Sequence, residues 1–268
     1  MDDISSILYE SAQRLLGDLS ERVLAGQALT DKDRADGWRR IEEMGLPVAL
    51  VSEEAGGFGF SDADAFGLVR ICGRHIVAWP LVETMLANRF AVENGSEPLE
   101  GPVETLGELT PEQREAAALT RAVQMAGALD AILAMTISHV QERQQFGRAL
   151  AKFQAVQHSL AILASEVAAG QAAADHAVAR RAQGGDGATL AIGIARARIG
   201  EACSKAAAIA HQLHGAIGYA QEHRLHLYTT SLWKWRDEFG TQAWWTQQVG
   251  REVLASGRDA FWPMVTAA

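Results

Sequence analysis

Between Pro111 and Pro263 the chain has no proline, and apolar residues recur there every three or four positions. That spacing is the period of one face of an α-helix, and it leaves room for little else. Alanine is abundant throughout, which favours helix further. No run shows a convincing strand-period alternation. Four long helices are expected, over about 111–142, 151–181, 188–214 and 222–256, the last with a break at Gly240. Short glycine-bearing corners join them, as at Gln183-Gly-Gly-Asp-Gly. Long amphipathic helices joined by short loops pack as antiparallel neighbours, hence a helix bundle.

The N-terminal part reads as several shorter helices. One runs over about 2–26 and stops at a glycine. Thr30-Asp-Lys-Asp opens the next, which carries Trp38, Ile41 and Met44 and ends at Gly45. A short apolar passage over 47–51 leads into the glycine-rich loop Ser52-Glu-Glu-Ala-Gly-Gly-Phe-Gly-Phe. Ser61 caps a helix to about Gly73, and Pro80 starts another to about Asn94. Gly95, Pro98, Gly101, Pro102 and Gly107 then break any long element. The expected fold class is therefore all-α. An N-terminal helical domain covers 1–94, a linker covers 95–110, and a four-helix bundle covers 111–268.

The formal net charge of -9 argues against a nucleic-acid partner. The acidic start, Met1-Asp-Asp-Ile, lacks the basic and apolar parts of a signal peptide. No uncharged apolar run approaches the ~18 residues that span a bilayer. The cytoplasm is the expected compartment, with Cys72 and Cys203 reduced and buried. The histidines, among them His139, His176, His211, His214, His223 and His226, are scattered, with no Glu-x-x-His pair. No metal site is expected.

The corner Arg143-Gln-Gln-Phe-Gly-Arg-Ala-Leu-Ala-Lys-Phe-Gln-Ala-Val-Gln-His158 carries the most chemistry. Arg143 is a permanent cation whose forked donors fit phosphate. Gly147 allows a tight turn between helices. Two readings are open from the residues alone. One is a nucleotide-binding corner. The other is an ordinary capping turn with Phe146 and Phe153 in the core. The stretch closely resembles the helix-corner motif of the acyl-CoA dehydrogenases, flavoenzymes that desaturate acyl-CoA thioesters. By matching position, the resemblance implies that Arg143, Gln145 and Phe146 contact the pyrophosphate and adenosine half of FAD across a subunit interface. It places Gln154 where the family has a flavin-contacting glutamine.

Three further segments resemble the same family. Gln212-Leu-His-Gly-Ala-Ile-Gly-Tyr-Ala-Gln-Glu222 matches its Gln-x-x-Gly-Gly-x-Gly segment at Gln212, Gly215, Gly218, Tyr219 and Glu222, with Ala216 for the second glycine. That segment also binds FAD from a neighbouring subunit. Trp233-Lys-Trp-Arg-Asp-Glu-Phe-Gly-Thr241 lies where one branch carries its catalytic base in a Glu-Gly-Thr turn. Gapless register sets Phe239 at the glutamate, with Gly240 and Thr241 following. Glu238 is then one residue short and becomes the implied base after a slight shift; otherwise the base is missing. Thr241 is carried over as a cofactor contact. A second branch places its base near Ala116–Ala118, where Glu115 is the nearest carboxylate. The loop Ser52 to Phe60 matches a glycine loop of the family's N-terminal domain.

Full members insert a β-domain between the two helical parts, walling the flavin ring. Here only 95–110 stands in its place. The resemblance implies a family member with that domain deleted, using FAD and an acyl-CoA substrate. Electrons would pass to an electron-transfer flavoprotein or similar acceptor. It also implies a homo- or hetero-oligomer, dimer or tetramer. The implied reaction is α,β-desaturation with Glu238 as base. The alternative is a non-catalytic partner that completes the FAD site of a sister chain. An unrelated helical scaffold is the remaining reading.

Overall fold

A computed structural model describes residues 2–185 and 187–266. The chain is all-α apart from one two-residue hairpin. Four helices come first: α1 (Asp2–Leu24), α2 (Asp31–Glu43), α3 (Asp62–Arg74) and α4 (Leu81–Glu93). Local chemistry sets their starts. Thr30 Oγ1 accepts the Asp33 N–H at 3.2 Å, and the Asp33 carboxylate accepts the Thr30 N–H at 3.1 Å. Ser61 caps α3 through the Asp64 N–H.

Residues 95–110 contain no strand. They are strapped to α4 by two buried polar side chains. Asn88 donates to the Pro47 carbonyl at 2.9 Å and accepts the Leu99 N–H at 2.7 Å. Thr84 accepts the Val103 N–H at 2.9 Å. Buried polar groups of this kind need partners, and the linker backbone supplies them.

Then come α5 (Pro111–Glu142), α6 (Gln154–Gln183), α7 (Gly187–His214), α8 (Leu225–Asp237), α9 (Gln242–Ser256) and α10 (Phe261–Thr266). The last long helix expected over 222–256 is thus two helices, meeting at Phe239-Gly240, where both residues take positive φ. The helix α5 is long and apolar enough to cross a bilayer by length and composition, yet it is the buried centre of the fold. It packs against α3, α4, α6, α7 and α8. Glycines let α3 approach it closely: a Cβ on Gly73 would lie 1.8 Å from the Gln124 carbonyl oxygen, and one on Gly127 2.0 Å from that of Arg70. One apolar cluster consequently runs from Ala12 in α1 to Trp245 in α9.

Candidate active site

The Arg143 corner is a small hairpin, a feature that helical periodicity does not reveal. Strand β1 (Gln144–Gln145) pairs antiparallel with β2 (Arg148–Ala149). The two turn residues, Phe146 and Gly147, have φ of 53° and 78°. A two-residue hairpin needs positive φ at both positions, which suits Asn-Gly far better than Phe-Gly. The strained Phe146 ring is also 90% exposed, so burial within this chain does not offset the strain. Phe153 is the neighbouring ring, at 6.2 Å edge-on, and the Arg148 guanidinium covers its face at 4.0 Å.

Arg143 closes the C-terminus of α5 through its N–H to the His139 carbonyl. Its side chain is exposed and makes no ion pair among the described residues. Gln145 and Gln154 are exposed beside it in the sequence, Gln154 as the first residue of α6. The residue before that helix is Phe153, which offers no side-chain cap. The first-turn N–H groups of α6 thus lack a side-chain cap, which leaves them as an anion-accepting end. A free guanidinium, open helix N–H groups and an exposed aromatic ring fit the phosphate and adenosine half of a flavin dinucleotide. The described residues of this corner offer no wall for the flavin ring itself.

Gln212 and Gly215 lie at the end of α7. Gly215 has φ 64° and open space where a Cβ would stand, and Gln212 is exposed. Gly218 is tightly enclosed instead: a Cβ there would sit 2.9 Å from His214 Cβ. Tyr219, 72% exposed, stacks on His211 at 4.3 Å. Histidines that are scattered in sequence gather here. His139 stacks on His214 at 4.3 Å, and His223 meets His214 edge-on at 4.7 Å. This stack joins the end of α5, one turn before Arg143, to the glycine turn after α7. Burial pushes His214 down to about 4 and also lowers His139, His211 and His223. The stack is neutral near pH 7.

Glu238 and Thr241 lie on the α8–α9 turn. Thr241 caps α9 by accepting the Trp244 N–H at 3.2 Å. Phe239, in register with the family glutamate, sits at φ 57° and packs on the core. Two buried arginines hold this turn. Arg196 on α7 points one nitrogen, Nη2, at the carbonyls of Trp235, Arg236, Glu238 and Gly240, at 3.3, 3.0, 2.7 and 3.0 Å. Those include the otherwise unpaired carbonyls that end α8. Burial pushes its guanidinium down to about 10. Arg121 on α5 is 1% exposed, and its Nη2 lies 2.7 Å from both Glu83 and Glu238 carboxylates. Its Nη1 donates to Gln124. The rings of Trp235 and Phe239 flank it at 5.6 and 5.5 Å. Glu238, 26% exposed, is therefore committed to a buried cation, with Lys234 at 3.8 Å on its outer side.

The structure thus brings the predicted residues together in two separate groups. Arg143, Gln145, Phe146 and Gln154 share the corner, joined by the histidine stack to the Gln212–Gly215 turn. Glu238 and Thr241 share the other turn. From Arg121 to Arg143 the path along α5 climbs about 33 Å at about 1.5 Å per residue. The corner lies at the C-terminal end of that helix, and the Glu238 cluster meets its N-terminal half. Sequence reasoning missed Glu83, Arg121 and Arg196. A signal was present for both arginines. Each is a charge on a stripe that is otherwise alanine and aliphatic, and such a charge must be paired or hydrogen-bonded.

A family model for the acyl-CoA dehydrogenase C-terminal domain matches residues 113–253. The chain is 29% identical over 255 residues to the acyl-CoA dehydrogenase IpdE2 of Mycobacterium tuberculosis, covering 71% of this chain and 78% of that protein. The solved ChsE4-ChsE5 complex from Mycobacterium tuberculosis contains a chain that superposes with a TM-score of 0.79 at 18% identity, covering 95% of this chain and 98% of that one. The Tcur3481-Tcur3483 steroid ACAD gives 0.79 at 20%, with 93% and 97% covered. At those identities the structural likeness speaks for the fold.

Proposed function

This chain belongs to the acyl-CoA dehydrogenase family, and from that premise we propose that it is one subunit of an FAD-dependent enzyme forming an α,β-double bond in an acyl-CoA thioester. The observation that carries this is the outward-facing corner. Its free cation, strained exposed ring and open helix end are about 33 Å along α5 from the candidate base. A dinucleotide gripped by this corner would present its flavin ring to a neighbouring chain. Two complexes of paired chains among the structural relatives support a hetero-oligomer, and a steroid ACAD among them supports a lipid or steroid acyl group. The electron acceptor is an electron-transfer flavoprotein or similar carrier.

In this reading Arg143 and the α6 N-terminus bind the pyrophosphate. Gln145, Phe146 and Gln154 orient the dinucleotide, with Gln212 and Gly215 contacting it from the next turn. Thr241, on the turn beside Glu238, would contact instead a dinucleotide held by a neighbouring chain. When bound, the flavin ring supplies the acceptor for the substrate's β-hydride. Glu238 takes the α-proton, after its carboxylate moves off Arg121. Arg196 holds the turn so that only the side chain moves. Trp235 and Phe239 exclude water, which strengthens any hydrogen bond given to the thioester carbonyl.

One observation favours a second reading. Phe239 occupies the register of the family base, and Glu238 is tied to Arg121. A chain with that arrangement suits a non-catalytic partner that completes the FAD site of a sister subunit. Expression with the sister chain separates the outcomes. The assembled protein should be yellow, and Arg143→Gln should lose the flavin absorbance. Glu238→Gln should abolish turnover with flavin retained if this chain is catalytic, and leave turnover intact if it is the partner. Flavin content unchanged by Arg143→Gln would remove the corner from its role.

A further inference from the structure

A cavity of about 290 Å³ lies beside the Glu238 cluster. Its walls come from the segment after α3, the start of α4, the middle of α5 and the outer turn of α8. Glu83 and Trp235 belong both to this wall and to the surroundings of Arg121. The cavity therefore adjoins the candidate base. It holds on the order of ten non-hydrogen atoms, at about 30 Å³ for each water-sized group.

The lining is unusual for a site meant for a hydrocarbon tail. Gln124 gives its side-chain oxygen to Arg121, which leaves its amide as a donor. Ser231 and Lys234 add donors from α8, and Glu83 and Glu104 add acceptors. An apolar ligand pressed against Gln124 and Ser231 would strand them away from water, at a cost of about 1–3 kcal/mol for each group left unpaired. A ligand ending in a carboxylate meets a different obstacle. Among the residues that line the cavity, the carboxylates Glu83 and Glu104 outnumber the one cation, Lys234. One more negative charge would be repelled.

We infer that this cavity receives the acyl end of the substrate and selects a compact group bearing neutral oxygen, hydroxyl or oxo, over a bare hydrocarbon or a terminal carboxylate. The inference rests on the acyl-CoA reading above. Trp79 and Trp235 give flat apolar walls to the ring or chain. Gln124 and Ser231 meet its oxygen.

The test uses the protein purified with its natural partner chains and its flavin. Three CoA thioesters of matched size are titrated calorimetrically: cyclohexanecarboxyl-CoA, 4-oxocyclohexanecarboxyl-CoA and 4-carboxycyclohexanecarboxyl-CoA. The oxo compound should bind about tenfold more tightly than either other, as one satisfied buried hydrogen bond provides. The variant Ser231→Ala, checked for native circular dichroism and flavin content, should abolish that preference. Equal or tighter binding of the plain cyclohexane thioester overturns the inference and leaves the acyl-CoA reading standing. So does a preference that survives Ser231→Ala. Failure of all three thioesters to bind flavin-loaded protein overturns the acyl-CoA reading, and the inference with it.

Discussion

Removing the Arg196 guanidinium should unfasten the α8–α9 turn. Arg196→Met keeps an unbranched apolar stem but leaves the carbonyls of Trp235, Arg236, Glu238 and Gly240 without their shared donor. Water can reach part of this half-buried turn, so two of the four carbonyls are taken as stranded. At about 1–3 kcal/mol per stranded group the loss is about 2–6 kcal/mol. Removal of a costly buried charge offsets part of it, which gives a net loss of about 3 kcal/mol. For a chain of this size that corresponds to a fall in Tm of roughly 6–12 °C. Arg196→Lys should recover only part of the loss, because one ammonium on a flexible stem cannot span the same set of carbonyls. Thermal unfolding followed by far-UV circular dichroism gives the Tm. Tryptophan fluorescence reports the turn separately, since Trp245 Nε1 donates to the Phe239 carbonyl at 3.2 Å. A Tm for Arg196→Met within a degree or two of wild type, with unchanged fluorescence, would refute the claim that this nitrogen holds the turn.

Phe146→Asn relieves a positive φ that a phenylalanine adopts at a cost, so the isolated chain should gain about 0.5–1 kcal/mol in a urea titration. The same variant should retain less flavin in the assembled protein, because the exposed ring is lost. Stability should also fall with acid through His214. Its pKa is about 4 in the fold against an ordinary 6.5, so the unfolded chain takes up a proton that the folded chain refuses. Stability is complete above about pH 6.5 and is lost as the pH drops toward 4. By pH 5 this one group should account for a loss of about 2 kcal/mol relative to pH 7. His214→Phe should flatten that slope in urea midpoints measured at the two pH values, and an unchanged slope would exclude the ring as its source.

Helix type and order were legible in the residues. The capping of α2 by Thr30, of α3 by Ser61 and of α5 by Thr110 involves groups within three positions of each other. Such local bonds are written in the sequence. The corner at Arg143 was legible as a cluster of types, a cation beside glycine and rings. Its backbone, a hairpin with Phe146 in a strained conformation, was not. Helical periodicity carries no information about a four-residue ladder. The α8–α9 break was visible at Gly240, but the reason the turn holds was not. Arg196 reaches it from another helix, forty residues away in the case of Arg236. Arg121 meets Glu83 and Glu238 from a third.

The sequence by itself determined that this chain builds helices, where most of them begin, and that a cation-led corner interrupts the bundle. Those outcomes depend on contacts between near neighbours and on a repeating apolar stripe. Only the tertiary structure decided that Glu238 is paired with a buried arginine, that His139 stacks on His214, and that a polar cavity adjoins the candidate base. Each of those depends on side chains from different helices meeting at angstrom distances. Such meetings are set by how α5 packs among its neighbours, and no spacing along the chain encodes them directly.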